Sequence, residues 1–145
     1  MLQNIRKIFD KNLAIMLCFG VSSGFPIALI LSTIKVLLSD KGFDLKTIGF
    51  FALISLPYSL KFFFAPIIDS FGLPFLTKRF GQRRSWIIFT QLALVLFILS
   101  LGIATISENL TAIATLSLLV AFASASQDIV IDAYRIEMVK KEDQG

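Results

Sequence analysis

The sequence predicts an all-α membrane protein with four transmembrane helices, and composition, run length and charge distribution all support that prediction. Hydrophobic residues make up 56% of the 145 residues, including 15 Phe, a composition that is untypical of a soluble domain. Four apolar runs extend roughly over residues 13–38, 48–68, 86–106 and 110–131. Each run reaches the ~20 residues that a helix needs to cross the hydrocarbon core of a bilayer.

The basic residues concentrate in alternate gaps between these runs. Of the 14 Lys and Arg, ten precede the first run, separate the second from the third, or follow the fourth: Arg6, Lys7, Lys11, Lys78, Arg79, Arg83, Arg84, Arg135, Lys140 and Lys141. Only Lys41 and Lys46 lie in the opposite gaps, while Lys35 and Lys61 fall inside runs. Because positively charged loops stay in the cytoplasm, both termini are predicted to be cytoplasmic.

The first run contains Gly20, Gly24 and Pro26. Two glycines four residues apart form a flat strip where another helix can approach closely, which indicates helix packing. Alternatively, Pro26 removes a backbone hydrogen bond and makes this segment a hinge in a moving helix. The run is too long for the apolar part of a signal peptide, so we expect it to be retained as a helix.

The loops between the other runs are short, except for one. The second run contains Pro57 and Pro66 and ends at Asp69. Residues 69–85 then form the longest predicted inner loop, in which Gly81 is one of the helix breakers. Trp86 opens the third helix at the membrane interface, where tryptophan is favoured.

Charged residues inside the apolar runs are candidates for function. Lys61 lies near the middle of the second run, where a lysine costs about 2.5–3.5 kcal/mol on insertion scales and needs a partner or a wet cavity. Asp128 and Asp132 are four residues apart and share one face of the fourth helix, which Arg135 continues; Gln127 adds a polar neighbour.

Two interpretations of these charges stay open. Asp132 and Arg135 could be interfacial, paired with each other or with Arg83 and Arg84, and so fix the inner loops. Asp128 and Lys61 are deeper and indicate a polar cavity, in which a carboxyl group could exchange protons and a lysine could hold an anionic substrate. The sequence does not determine whether Lys61 meets Asp128.

Several functional classes are disfavoured by composition. The chain has no histidine and a single cysteine, Cys18, which argues against a metal site, an intramolecular disulfide and a cofactor. No nucleophile and base are paired in the pattern, so an enzyme is not expected. The net charge of +4 follows from membrane topology and anionic lipids, so the lipid bilayer rather than nucleic acid is the expected partner.

Three segments carry a resemblance to a known family. They are Ser23-Gly24-Phe25-Pro26, residues 44–51 continuing into Lys61-Phe62 and 65–69, and residues 124–134 with the central Gln127-Asp128-Ile129. In these segments the chain resembles AmpG-type muropeptide permeases of the major facilitator superfamily, over residues 20–145. Acetyl-CoA transporters have a similar Gln-Asp-Ile element.

The resemblance implies an N-terminal four-helix portion of the major facilitator fold, that is, a partial transporter bundle over residues 1–145. It also implies a cytoplasmic gate. The superfamily has a signature between helices two and three, and it is similar to Asp69 together with Arg79-Phe80-Gly81-Gln82-Arg83-Arg84. In this chain the signature is altered by the insertion of residues 70–78 and by Ala65 at a position where glycine is usual. Arg135 joins this candidate gate, and Lys61, Gln127, Asp128 and Asp132 form the candidate proton and substrate pathway.

The implied activity is proton symport of anhydro-muropeptides from periplasm to cytoplasm across the bacterial inner membrane, for cell-wall recycling. Relatives have twelve or more helices, so we expect a truncated product, or a fragment whose missing helices come from a second polypeptide. The alternatives are an inactive membrane-inserted remnant and a transporter for another organic anion such as acetyl-CoA. A dimeric four-helix multidrug exporter is disfavoured, because the first run contains no acidic residue.

Overall fold

A computed structural model of the chain describes residues 11–74 and 76–142, and the side chains of residues 17–74 and 76–136. The all-α prediction is confirmed: the described residues form helices joined by short turns. These helices are α1 (Lys11–Ala28), α2 (Lys35–Asp40), α3 (Leu45–Phe50), α4 (Leu56–Ser59), α5 (Lys61–Ser70), α6 (Leu76–Phe80), α7 (Gln82–Ile106) and α8 (Leu110–Glu142). A π-helical segment, Leu29–Ile34, joins α1 to α2, and a 3-10 segment, Phe51–Ser55, joins α3 to α4.

Three continuous helical stretches are long and apolar enough to cross a membrane: Leu17–Asp40, Gln82–Ile106 and Leu110–Ile136. Leu45–Ser59 and Lys61–Ser70 qualify together as a fourth, bent by 44°. We call α1 to α2 the first span, α3 to α5 the second, α7 the third and α8 the fourth. The predicted cytoplasmic location of the two ends concerns residues 1–10 and 143–145, which lie outside the described residues.

The first span buries one narrow stripe against the other helices. Pro26, Ile30, Ile34 and Leu38 recur every four residues and are all buried, so this stripe follows one face of the helix. The π-helical segment begins three residues after Pro26, which lacks the backbone N–H that would donate to residue 22. The break in regular α-helix therefore lies near the predicted hinge, on the side of it that leads to α2.

The second span is bent where the sequence weakens its helix. Pro57 cannot donate a backbone hydrogen bond, and the 3-10 segment ends at Ser55, two residues before it. The chain breaks again at Leu60, which has φ −91° and ψ 2°, and α5 begins at Lys61. This span therefore extends beyond the predicted residues 48–68 at both ends, and its bend places Lys61 at the start of a new helix.

The predicted inner loop is shorter than expected, because it contains helix. α6 (Leu76–Phe80) occupies part of residues 69–85, and α7 begins at Gln82 rather than at Trp86. Gly81 separates the two helices with φ 82° and ψ 163°, a conformation that is accessible essentially only to glycine. Gly81 alone thus interrupts the helix between α6 and α7, and the basic residues after it belong to the first turn of α7.

The fourth span is the central helix of the described bundle. Residues 123–127 and 129–131 are all buried, and small side chains there, Ala121, Ala123, Ser124 and Ala125, let neighbouring helices approach closely. The helix does not end near Ile131 as the apolar run does, but continues to Glu142. Hydropathy marks where the apolar environment ends, whereas the backbone hydrogen bonds of a helix continue through charged residues.

The two short turns at the opposite end of the bundle are joined by an ion pair. Lys41 Nζ lies 2.5 Å from Glu108 Oε1 and 3.4 Å from the carbonyl oxygen of Thr105. The hydrogen bond from Lys41 lowers the pKa of the Glu108 carboxyl below its ordinary value. In the first of these turns, Asp44 caps α3 by accepting from the backbone N–H of Thr47 at 3.2 Å, a favoured helix start. The Thr47 hydroxyl also donates to Asp44 and lowers its pKa.

Candidate functional site: a polar cluster that joins the four spans

A connected group of polar side chains crosses the bundle at one level. It contains at least one residue from every span, and we call it the polar cluster: Ser22, Ser23, Lys61, Gln91, Gln127 and Asp128. The third span contributes Gln91, the second contributes Lys61, and the fourth contributes the adjacent Gln127 and Asp128. Because a charged or amide group inside a membrane is costly, its contacts bear directly on what the bundle can do.

One end of the polar cluster is ionic. Lys61 Nζ lies 2.9 Å from Asp128 Oδ2, and the hydroxyl of Ser23 donates to Asp128 Oδ1 at 2.7 Å. The side chains of Lys61 and Asp128 are 31% and 24% exposed, whereas that of Asp132, 3.9 Å from Lys61 Nζ, is 51% exposed. Lys61 thus pairs mainly with the deeper carboxylate and reaches a second, more hydrated one.

The other end of the polar cluster is uncharged. Gln127 Nε2 donates to Gln91 Oε1 at 2.7 Å and to the Ser22 hydroxyl at 3.0 Å. The Ser22 hydroxyl in turn donates to Gln91 Oε1 at 3.0 Å. These bonds join the first, third and fourth spans through side chains that are neighbours of the ionic end.

Adjacent residues on two helices connect the two ends. Successive side chains on an α-helix point about 100° apart, so Ser22 and Ser23 reach different partners from one turn of α1. Gln127 and Asp128 do the same from α8. Any rotation of α1 or α8 that alters the ionic contacts must therefore also alter the amide contacts.

The predicted gate residues are brought together in part. Arg83 donates to the carboxylate of Asp69, and Gln82 Nε2 donates to the backbone oxygen of Asp69 at 2.6 Å. Trp86 Nε1 donates to the backbone oxygen of Phe71 at 2.7 Å. The end of the second span is thus attached to the first turn of the third.

The remaining gate and packing residues are more dispersed. The Arg79 guanidinium lies 5.7 Å from the ring centre of Phe80, and Arg84 is exposed. Arg135 lies 3.9 Å from Asp132, and a Cβ at Gly20 would lie 3.3 Å from its Nη2. A Cβ at Gly24 would meet no atom within 4 Å, so no described helix approaches there.

Sequence reasoning missed three members of the polar cluster: Ser22, Ser23 and Gln91. Gln91 was the polar amide within the third apolar run, and that isolation was a usable signal. Ser22 and Ser23 carry little signal in the sequence, because a serine in a membrane helix commonly bonds its own backbone. Within the described ranges, no three Asp, Glu or Cys residues are grouped so that they could hold a metal ion.

Comparison with known proteins identifies the family. The family model described as acetyl-coenzyme A transporter 1 matches residues 12–145. The chain belongs to this family. It is 42% identical over 136 residues to a Rickettsia bellii (strain RML369-C) protein named AmpG 1, covering 94% of this chain and 33% of that relative. It is also 38% identical over 143 residues to the anhydromuropeptide permease of Escherichia coli (strain K12), covering 99% of this chain and 28% of the permease.

These relatives confirm the resemblance to AmpG-type permeases and indicate a multi-pass membrane protein. Their names are those of transporters and permeases, which supports the expectation of a non-enzymatic function. The chain spans about a third of the length of the curated relatives it matches. No solved structure matches it significantly.

Proposed function

We propose that this chain is part of a proton-coupled permease that imports anhydro-muropeptides across the inner membrane of a bacterium. The observation that carries the proposal is the ion pair between Lys61 and Asp128, which joins two predominantly apolar spans. Similarity to the anhydromuropeptide permease of E. coli supports the choice of cargo. For proton coupling, the only support is the chemistry of the Lys61–Asp128 ion pair.

Asp128 is the coupling carboxyl group in this proposal. As a carboxylate it accepts from Ser23 and Lys61; when it takes up a proton, it loses its charge attraction for Lys61. Lys61 then has Asp132, 3.9 Å away, as its remaining acidic partner. A proton would thereby move the second span relative to the fourth, since the two carboxylates lie one turn apart on α8.

The Asp69–Arg83 pair and its neighbours close the cytoplasmic end in this proposal. They hold the end of the second span against the start of the third, and the Gln82 and Trp86 side chains reinforce that contact through backbone oxygens. Opening of the cytoplasmic side would require these bonds to break together. Further helices, from the same or a second polypeptide, complete the path for the cargo.

Uptake of radiolabelled anhydro-muropeptide tests the proposal. The gene product that carries this sequence is expressed in a strain without its own permease, and right-side-out membrane vesicles receive an imposed inward proton gradient. Asp128→Asn should abolish gradient-driven uptake, and Asp132→Asn should lower it, because Lys61 would then lack the acidic partner that it meets after Asp128 is protonated. Full gradient-driven uptake by Asp128→Asn would remove Asp128 from the coupling role.

Transport of acetyl-CoA is the second candidate, because the matching family model is described as an acetyl-coenzyme A transporter. Both cargoes are anionic, so Lys61 could attract either. Unlabelled acetyl-CoA added in excess to the same vesicles separates the two: it should leave muropeptide uptake unchanged. Competition, or uptake of labelled acetyl-CoA alone, would assign the cargo to the second class. An inert remnant would take up neither.

A further inference from the structure

We propose that the uncharged end of the polar cluster binds an amide group of the cargo, with Gln91 as the residue that first contacts it. The inference rests on the proposed function, because it names the part of the cargo that this end of the site recognises. It is carried by two polar groups whose hydrogen-bonding capacity is unfilled: the amide nitrogen of Gln91 and the amide oxygen of Gln127.

Gln91 presents hydrogen-bond donors on an exposed surface of a transmembrane helix. Its oxygen accepts from Gln127 and Ser22, whereas its Nε2 has no hydrogen-bond partner among the described residues, and the side chain is exposed. Lipid hydrocarbon cannot accept hydrogen bonds, so an exposed amide at this depth requires water, a ligand or another helix. A glutamine that served only to join helices would instead be buried at their interface.

Gln127 lacks a donor for its oxygen. The residue is 1% exposed, and its Oε1 has no hydrogen-bond partner within the part of the chain that the structure describes. Leaving a buried acceptor unsatisfied costs about 1–3 kcal/mol. A bound group with an N–H donor would relieve that cost, and the terminal torsions of both glutamines are soft enough to reorient without backbone movement.

The two unfilled groups specify the chemistry of the ligand. Gln91 requires an acceptor and Gln127 requires a donor, and both are neutral, in contrast to the ionic end formed by Lys61 and Asp128. A secondary amide supplies a carbonyl oxygen and an N–H side by side and carries no charge. The polar cluster would therefore bind a cargo that has an anionic group for Lys61 and an amide group for the two glutamines.

Cysteine accessibility tests this assignment while Gln91 stays in place. In a background where Cys18 and any cysteine elsewhere in the gene product are replaced by serine, Val95→Cys puts a thiol one turn from Gln91 on the same face of α7. Leu96→Cys puts a thiol at the same depth on another face. Val95 and Leu96 are 47% and 64% exposed. Membrane vesicles are treated with a charged, membrane-impermeant thiosulfonate, which reacts with thiols in water but not in lipid.

The thiol at position 95 should react with the reagent and the thiol at position 96 should not. N-acetylglucosamine should slow the reaction at position 95, and glucose and glucosamine, which lack the amide, should not. Protection should disappear when Gln91→Leu is added. An unreactive thiol at position 95 would overturn the proposal, because Gln91 would then face lipid or another helix. The amide assignment would be overturned by any of three results: no protection, equal protection by glucose, or protection that survives Gln91→Leu.

The labelling result does not depend on a proton gradient or on transport. Protection in a protein that takes up no muropeptide would reject the proposed function and leave the amide site in place. Normal muropeptide uptake without protection of the thiol would reject the amide site and leave the proposed function in place.

Discussion

Removal of Lys61 tests the central contact of the site. Lys61→Met keeps a long flexible side chain but eliminates the charge, so Asp128 would retain only the hydrogen bond from Ser23. A half-buried carboxylate without its cation pays a desolvation cost that nothing offsets. We therefore expect Lys61→Met to destabilise the bundle at neutral pH, and addition of Asp128→Asn to recover most of the loss.

The size of the effect follows from distance and burial. At 2.9 Å, two unit charges attract by about 6 kcal/mol at an effective dielectric constant of 20. The desolvation cost of both groups offsets a large part of this attraction, and the partial exposure of the pair to solvent weakens it further. The net coupling free energy should therefore be about 2–3 kcal/mol, a value between those of surface pairs and of fully buried pairs. For Lys61 and Asp132, at 3.9 Å with Asp132 half exposed, a surface-like value below about 1 kcal/mol is expected.

A double-mutant cycle measures both couplings. The chain is unfolded reversibly in detergent micelles, and the free energy of unfolding is determined for wild type, Lys61→Met, Asp128→Asn and the double variant. The cycle with Asp132→Asn in place of Asp128→Asn is the matched control. A coupling below about 0.5 kcal/mol between Lys61 and Asp128, or a larger one to Asp132, would refute the reasoning from distance and burial.

Three further outcomes are expected from the same unfolding measurement. Gly81→Ala should lower the free energy of unfolding by about 1–3 kcal/mol, because φ is 82° there. Gly24→Ala, the same change in ordinary helix with no atom within 4 Å of the new Cβ, should raise it by up to ~1 kcal/mol; equal effects would exclude backbone strain as the cause. Glu108→Gln should destabilise at neutral pH: Lys41 depresses the pKa of Glu108, so the contribution is present above the ordinary glutamate pKa and lost as pH falls through the depressed value. A difference from wild type that persists in strong acid would contradict that sign.

Much of the fold could be predicted from the sequence because a bilayer simplifies the problem. Apolar length alone locates the helices, since every backbone polar group in the membrane must be paired within a helix. The errors lie at the ends of helices: the second span begins at Leu45, the third at Gln82, and the fourth continues to Glu142. At those places the chain leaves the apolar run but not the helix, so hydropathy carries no information about the boundary.

The candidate site could be predicted only in part. Lys61, Asp128 and Gln127 are recognisable in the sequence because a charged or amide side chain costs free energy inside an apolar run. Their partners Ser22, Ser23 and Gln91 are small or neutral enough to be tolerated in an apolar helix without a function, so their presence in the sequence does not single them out. Their importance becomes visible only when the three helices are seen to meet.

The sequence by itself determined that this chain enters a membrane, how many apolar runs it has and which charges require an explanation. These are properties of composition and order, and each can be evaluated one segment at a time. The tertiary structure decided that Lys61 meets Asp128, that Ser22 and Ser23 connect the ionic and amide ends, and that Gly20 lies against Arg135. Those contacts depend on the bend before Lys61 and on the rotation of each helix about its axis, and both are fixed by the packing of all four spans together rather than by any one of them.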